Sequence, residues 1–535
     1  MALAESYAIG PSVPPVRDIT LGGLLREAAS ASPDRVALVA GVREAAARRS
    51  WTYAELLDEA TTAARALRAR FEPGERVAVW GPNSPEWVML EFASAMAGLI
   101  LVTVNPAFRA SEVEYVLRQS RSAGVVTATE FRGNSMLSIV NDVRARCPEL
   151  REIIPFDQWE EFLVSATGFP GELAEPAPSD PVMIQYTSGT TGVPKGALLH
   201  HRGLANNGAH SADRAGVSDG AVFIAVAPLF HTAGCVCTVL AAVSKRATVV
   251  LLESFDPGLA LELFGAYQGS VMVGVPTMLV AMMEHPAFAT TDLSHLEAIY
   301  SGGSLVPAPM VRRLEDQLGA PFTIQFGQTE CSPVASMTQP TDTIEDKAGT
   351  IGPPMPGVEV KIVDPVTGQL VPVGVVGEYC TRGYHVMHGY FENPEATAEA
   401  IDGDGWLHTG DLCAMDERGY CTVEGRLKDM IIRGGENIYP REVENLLVAH
   451  PHVSEVAVVG LPDQKWGETV AAFIRPAPGC HLDKDELTAY MRDHLAPHKT
   501  PKQWFAAESF PVTGSGKIQK FKLREQWSSG QWHEL

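Results

Sequence analysis

An α/β protein with a β-rich section and a smaller α+β unit at its end is predicted, on three observations. Strand and helix patterns alternate from about residue 76 to 326, glycine- and proline-rich β segments take over beyond about 349, and a compact mixed pattern follows residue 429. The alternation begins with 76–80, a β-branched run that reads as a strand. Asn83-Ser84-Pro85-Glu86 then opens an apolar helix, and 99–104 returns to strand. Ser111-Glu112-Val113-Glu114 fits a capping box for the next helix, and 124–128 is again strand-like. Further strands are expected at 247–252, 270–275, 296–300 and 321–326, with helices at 259–267, 277–284 and 308–318 between them. Such alternation implies stacked, mostly parallel sheets covered by helices.

The β segments beyond 349 include 352–357 and 374–378 and predict a subdomain of their own. After Gly425-Arg426-Leu427-Lys428-Asp429 come a helix from 441, strands at 453–459 and 470–474, and a helix at 484–495. The expected organisation is therefore an N-terminal domain over 1–426, a junction at 427–429 and a C-terminal domain over 430–535.

A chain of 535 residues exceeds the usual single-domain length and can bury several cores. Its formal net charge of -22 and pI near 5.1 argue against nucleic acid or an anionic membrane as a partner held by a basic field. A phosphate-bearing ligand must then be held by local chemistry. The longest apolar stretch, 221–243, is interrupted by Pro228, His231, Thr232 and Gly234, and so reads as core and pocket rather than a membrane span. No secretory signal pattern is present near the amino terminus, and the eight cysteines form neither a disulfide framework nor paired zinc motifs. A cytoplasmic location with reduced thiols is the expectation, and Cys235 and Cys237 read as buried structural residues rather than metal ligands.

The chemistry concentrates in 186–196, Tyr-Thr-Ser-Gly-Thr-Thr-Gly-Val-Pro-Lys-Gly. Glycines (Gly189, Gly192) let backbone N–H groups approach an anion, Thr187, Ser188, Thr190 and Thr191 offer hydroxyl donors, and Lys195 adds a compact positive charge. This is the composition of a polyphosphate cradle. A Walker A loop does not align on Gly189, Gly192 and Lys195, nor on 514–517, where Pro511 and Ile518 occupy the required glycine and hydroxyl positions.

The complete string resembles the signature of the adenylate-forming superfamily, in the branch of acyl-CoA synthetases and AMP-dependent ligases. Further segments match in the family's order, and the resemblance runs from about residue 21 to 520. Pro228-Leu229-Phe230-His231 resembles the segment lining the acyl pocket. Ser301-Gly302-Gly303-Ser304-Leu305 and Gln325-Phe326-Gly327-Gln328-Thr329-Glu330 resemble the two adenine-site segments, and 406–411 resembles the ribose motif. Residues 425–429 resemble the hinge, and Pro511-Val512-Thr513-Gly514-Ser515-Gly516-Lys517-Ile518 the loop carrying the adenylation lysine.

The resemblance implies a small C-terminal domain that rotates about Lys428 between two half-reactions. It implies ATP, Mg2+ and coenzyme A, and catalytic roles for Lys517, Lys195, Thr329 and Glu330. Thr187 and Glu330 would be the magnesium ligands, Thr329 would meet the α-phosphate, and Asp411, partnered by Arg426, would accept from the ribose hydroxyls. Gly302, Gly303, Ser304, Gln325, Phe326, Gly327 and Gln328 would surround adenine, and Gly434 and Gly435 would approach the pantetheine arm. The implied acyl pocket is His231, Ala233, Cys237, Val275, Gly302, Gly327, Pro333 and Val334. Ala233 stands where similar hydroxycinnamate ligases carry a tyrosine, which disfavours a hydroxycinnamate substrate.

The chemical requirement agrees with this set. A carboxylate attacking ATP brings two anions together, so cationic groups and a divalent ion must spread the charge. The reading is an acid:CoA ligase that forms acyl-AMP from a medium-chain or aryl acid and releases pyrophosphate and then AMP. Two alternatives remain open at this stage. One is an adenylating enzyme that serves a carrier-protein thiol or another nucleophile, and the other is a non-catalytic ATP-binding regulator.

Overall fold

A computed structural model of the chain describes residues 3–169, 171–187, 194–303, 306–434, 436–512 and 518–535. Two large sheets dominate it. The first has seven strands in the order Gly389–Tyr390, Lys195–His200, Pro181–Thr187, Ile100–Val104, Arg76–Trp80, Ser122–Thr127 and Glu152–Pro155. It is parallel from Pro181–Thr187 to Glu152–Pro155 and antiparallel at the two remaining pairings. The second has eight strands in the order Val334–Met337, Phe322–Gly327, Ala298–Gly302, Val271–Val273, Val222–Ala225, Thr248–Leu251, Val36–Ala40 and Ser50–Thr52. Only its two outermost pairings are antiparallel.

Local chemistry accounts for the elements. Helix Pro85–Met96 starts where the Ser84 hydroxyl accepts from the Trp87 N–H and proline presets the first turn. Every residue from Trp87 to Met96 is buried, as expected of a helix enclosed on all sides. Helix His201–Ala215 packs on the strand Lys195–His200 of the first sheet and on Ala298–Gly302 and Val334–Met337 of the second. One expectation is corrected. Helix Ala110–Gln119 is capped by Arg109, whose backbone N–H donates 2.9 Å to the Glu112 carboxylate, so Ser111 lies inside the helix. The Glu112 side chain at the third position selected the cap, and that places it two residues ahead of the serine.

The glycine-rich region forms a five-stranded antiparallel sheet, Tyr7–Ile9, Val358–Val363, Gly377–Gly383, Leu407–Met415 and Cys421–Arg426. Its first strand comes from the amino terminus, a long-range pairing that the local pattern did not reveal. The final unit pairs Glu436–Ile438, Ile431–Arg433, Gly467–Pro476 and Val453–Asp463, with Gln503–Ala506 parallel to Gly467–Pro476. Helices Pro440–Val448 and Lys484–His494 cover it around a core that includes Ile431, Val443, Leu447, Leu487, Met491 and Trp504. The chain is thus α/β, with stacked mostly parallel sheets, a β subdomain and a small C-terminal α+β domain. Among the described residues no helix is long and apolar enough to cross a membrane.

Candidate active site

The phosphate-loop hairpin is formed by Pro181–Thr187 and Lys195–His200, whose antiparallel register sets Thr187 opposite Lys195. The Thr187 hydroxyl donates 3.4 Å to the Lys195 carbonyl, closing the base of the loop. Ser188, Gly189, Thr190, Thr191 and Gly192 lie outside the described residues. The short strand Gly389–Tyr390 pairs with Lys195–His200 and sets Tyr390 beside it, with the Lys195 Nζ 5.1 Å from the centre of the Tyr390 ring. The Tyr390 hydroxyl donates 2.7 Å to Glu330 Oε1, and the Met387 N–H donates 2.9 Å to the Glu330 carbonyl. Lys195, Tyr390 and Glu330 therefore form one connected group. Burial pushes the Glu330 carboxyl above its usual range, opposed by the Tyr390 hydrogen bond and the charge of Arg426. A buried carboxylate that needs cationic company is the result.

The two segments expected around adenine are neighbouring parallel strands, with Gly302 in register with Gln325. A Cβ at Gly302 would come 2.9 Å from the Gln325 carbonyl oxygen, and one at Gly327 would come 2.0 Å from the Pro333 oxygen, so glycine is required at both by close backbone approach. Gly303 turns at φ +83°, while Ser304 lies outside the described residues. Phe326 packs edge-on against Tyr379 at 5.1 Å, and Thr329 opens the 3-10 turn Thr329–Cys331 that carries Glu330.

Strands Leu407–Met415 and Cys421–Arg426 pair Asp411 with Arg426, and Arg426 Nε donates 2.9 Å to Asp411 Oδ1. The approach to Asp411 is fixed from the next strand. Glu378 Oε1 accepts from the Gly410 N–H at 3.1 Å, Glu378 Oε2 lies 2.7 Å from His408 Nδ1, and the Thr409 hydroxyl donates 2.7 Å to the Tyr379 carbonyl. The Glu378 hydrogen bond raises the His408 imidazole above its usual value, against the pull of partial burial.

The expected acyl-pocket residues gather at the C-terminal ends of parallel strands, where α/β proteins place their ligands. Val275 follows Val271–Val273, Gly302 ends Ala298–Gly302, Gly327 ends Phe322–Gly327, and Val334 lies opposite Gly327 after Pro333. The His231 ring accepts 3.1 Å from the Ala233 N–H and caps the short helix Thr232–Gly234. Cys237 sits in the π-helical turn Cys235–Leu240. Its carbonyl accepts 2.8 Å from the Tyr300 hydroxyl, tying that turn to the strand that ends at Gly302. Burial pushes the Cys237 thiol up to about 12, so it packs as an apolar group.

The remaining expected residues lie further along the chain. Gly434 turns at φ +62° against Trp466, whose ring a Cβ would meet at 2.7 Å, so this glycine has a packing reason of its own. Gly435 and Lys517 lie outside the described residues. Lys428 is in the 3-10 turn Leu427–Asp429, where burial lowers its ammonium below the usual value. Sequence reasoning missed Tyr390, Glu378 and Tyr300. Each of the three becomes visible only through a contact between segments distant in the chain.

A hydroxyl- and glycine-rich hairpin beside a buried glutamate, two strand ends that can hold a base, and an Asp–Arg pair together define an adenylate-forming ligase. The chain belongs to the AMP-binding enzyme family. Its profile matches residues 25–391, and that of the AMP-binding enzyme C-terminal domain matches 442–517. YngI of Bacillus subtilis (strain 168) is 41% identical over 538 residues, covering 95% of this chain and 97% of its own. The mitochondrial medium-chain acyl-CoA ligase ACSF2 of Rattus norvegicus is 37% identical, covering 97% and 89%. Among solved structures, ATP-bound MatB from Rhodopseudomonas palustris superposes with a TM-score of 0.86 at 29% identity, covering 95% of this chain and 99% of MatB. The protein is an ATP-dependent, AMP-forming acid–thiol ligase of the acyl-CoA synthetase branch.

Proposed function

We propose that the protein joins a medium-chain carboxylic acid to coenzyme A through an acyl-AMP intermediate, releasing pyrophosphate in the first half-reaction and AMP in the second. The observation that carries this reading is the connected Lys195, Tyr390 and Glu330 group. It offers a cation for the outer phosphates and an anionic oxygen for a divalent ion at one place. Thr187 Oγ1 and the Glu330 carboxylate are hard oxygen donors of the kind Mg2+ prefers, and a magnesium ion bound there would neutralise phosphate charge. Thr329 donates to the α-phosphate, and Asp411, steadied by Arg426 and the Glu378 hydrogen bonds, accepts from the ribose hydroxyls. Gly302 to Ser304 and Gln325 to Gln328 face adenine. The substrate carboxylate attacks the α-phosphorus, pyrophosphate leaves, and Lys517 offsets the charge gathered between the two anions.

Thioester formation then needs different groups at the same intermediate. Rotation of residues 430–535 about 427–429, against the domain formed by 1–426, exchanges Lys517 for the Gly434–Gly435 face, and the thiolate attacks the acyl carbon as AMP departs. A medium-chain aliphatic acid is supported by the small apolar side chains at Ala233, Cys237, Val275 and Val334 and by the likeness to ACSF2. The test is pyrophosphate release across a panel of aliphatic and aryl acids, with and without CoA. Medium-chain acids should give pyrophosphate, and AMP release should require CoA. Pyrophosphate exchange with no CoA-dependent AMP release would redirect the acyl group to a carrier protein or another nucleophile. Absence of exchange with every acid would leave an ATP-binding regulator.

A further inference from the structure

Among the described residues, two groups of side chains bring metal-ligating atoms together: Glu378, Cys380 and His408 beside Asp411 in the β subdomain, and His450, His452 and Glu486 in the C-terminal domain. Their internal distances separate them. Two ligands each about 2.0–2.1 Å from a tetrahedral ion stand roughly 3.3 Å apart, whereas directly hydrogen-bonded groups stand closer. Glu378 and His408 are 2.7 Å apart, a direct hydrogen bond that leaves no place for an ion between them. In the second group His450 Nε2 lies 3.6 Å from Glu486 Oε1, and His452 Nδ1 lies 3.5 Å from Glu486 Oε2. Those separations suit an ion held in common.

The local sequence builds this arrangement. Helix Pro440–Val448 ends at Ala449, and His450-Pro451-His452 forms the turn into the strand Val453–Asp463. The imidazoles of His450 and His452, 5.1 Å apart, meet Glu486 in the first turn of helix Lys484–His494. Glu486 presents one carboxylate oxygen to each ring. Tyr490, one turn further along, packs edge-on at 4.9 Å against His450 and closes its inner side. His450 is 6% exposed, while Glu486 is about half exposed, so the group is walled on one side and open on the other. His452 Nδ1 is buried and has no hydrogen-bond partner among the described residues. A buried nitrogen aimed at a carboxylate, at a distance beyond a hydrogen bond, is an unmet requirement that a cation would satisfy.

We propose that His450, His452 and Glu486 form a binding site for a divalent transition-metal ion of the zinc class. The site fastens the turn at 450–452 to helix Lys484–His494. Two imidazoles and one carboxylate favour Zn2+, Co2+, Ni2+ or Cu2+ over Mg2+ and Ca2+, which prefer all-oxygen surroundings. Three protein ligands leave the fourth position to water on the open side. Coordination through His450 Nε2 requires that ring's proton on Nδ1. The ring then gives up the 3.3 Å hydrogen bond that Nδ1 accepts from the His452 N–H, a long contact whose loss is minor against a metal bond. Both rings must be neutral to bind.

The experiment uses the full chain, stripped with a chelator and kept free of nucleotide and acid substrate, so its outcome is independent of the ligase reading. Calorimetric titration with ZnCl2 should show one equivalent that is at least about tenfold weaker in both His452→Ala and Glu486→Gln and unchanged in Cys380→Ala. Substituting Co2+ should give the visible absorption of a four-coordinate site in the unaltered protein and not in Glu486→Gln. Zn2+ should raise the melting midpoint where MgCl2 at the same concentration does not. Circular dichroism checks that both variants fold, and either variant alone suffices because His452 and Glu486 lie on different elements. Equal Zn2+ affinity in His452→Ala, loss of the equivalent in Cys380→Ala instead, or no Zn2+ uptake by the unaltered chain would each overturn the site.

Discussion

Glu330 shows how a single residue is prepared for charge chemistry. Burial holds its carboxyl above the usual range, while the Tyr390 hydroxyl and the charge of Arg426 pull the other way, so its ionised form calls for a cation beside it. Replacing it with glutamine exchanges an anionic oxygen for a neutral amide of the same shape. Glu330→Gln is therefore expected to slow acyl-AMP formation on the order of 10²-fold and to shift the Mg2+ titration to higher concentration. An unchanged titration would remove Glu330 from the metal's ligands. Lys517→Ala should slow acyl-AMP formation by about 10²–10³-fold while sparing thioester formation from supplied acyl-AMP, because its charge belongs to the first half-reaction. Equal loss of both steps would refute that assignment. Glu330 was legible through its motif, but Tyr390 was not, because 60 residues of chain separate the two and only the folded chain brings the tyrosine hydroxyl to the carboxylate.

At the scale of elements, the 325–330 segment is set by backbone contact. Gly327 lets its strand pass the Pro333 carbonyl, and an alanine there must displace the turn that carries Thr329 and Glu330. Gly327→Ala should lower acyl-AMP formation by about 10²-fold, the usual consequence of a misplacement near 1 Å, which single-turnover measurement would read. A normal rate would mean that the turn does not position the reacting groups. The junction Leu427–Asp429 offers the complementary experiment. Proline fixes φ and restricts its predecessor, so Lys428→Pro should hold the C-terminal domain in one orientation. Locked near the adenylating orientation, the variant makes acyl-AMP at close to the normal rate and fails to deliver it to CoA. Normal rates in both half-reactions would place the rotation elsewhere or abolish it.

The whole molecule carries a pH dependence written in buried histidines. Burial depresses His200 and His201 to about 4 and His385 to about 3, all from an ordinary value of 6.5. With the folded values below the unfolded ones, the unfolded chain binds more protons in that interval, so stability is greatest above 6.5 and is lost as the pH falls toward 4. Each group contributes about 1.4 kcal/mol per pH unit inside its window. Chemical denaturation at about pH 7.5 and about pH 5.5 should show a clearly lower midpoint at the acidic condition, reduced in a His385→Asn variant that folds. Identical midpoints at the two conditions would show that these rings are not held neutral.

The α/β class, the order of most strands and helices and the polyphosphate-cradle composition of 186–196 were legible in the sequence. These follow from short-range rules: apolar periodicity, proline and serine at helix starts, and contiguous motifs whose residue types state their chemistry. Only the tertiary structure decided that the amino-terminal strand Tyr7–Ile9 joins the distant β subdomain. It also decided that Tyr390 bridges Lys195 and Glu330, that Tyr300 ties the Cys237 turn to the strand Ala298–Gly302, and that Glu486 reaches the 450–452 turn. Each of these depends on strand order and on which faces meet across the core. Pairing between distant segments is selected by the burial of whole surfaces, and no local window of residues contains that free energy.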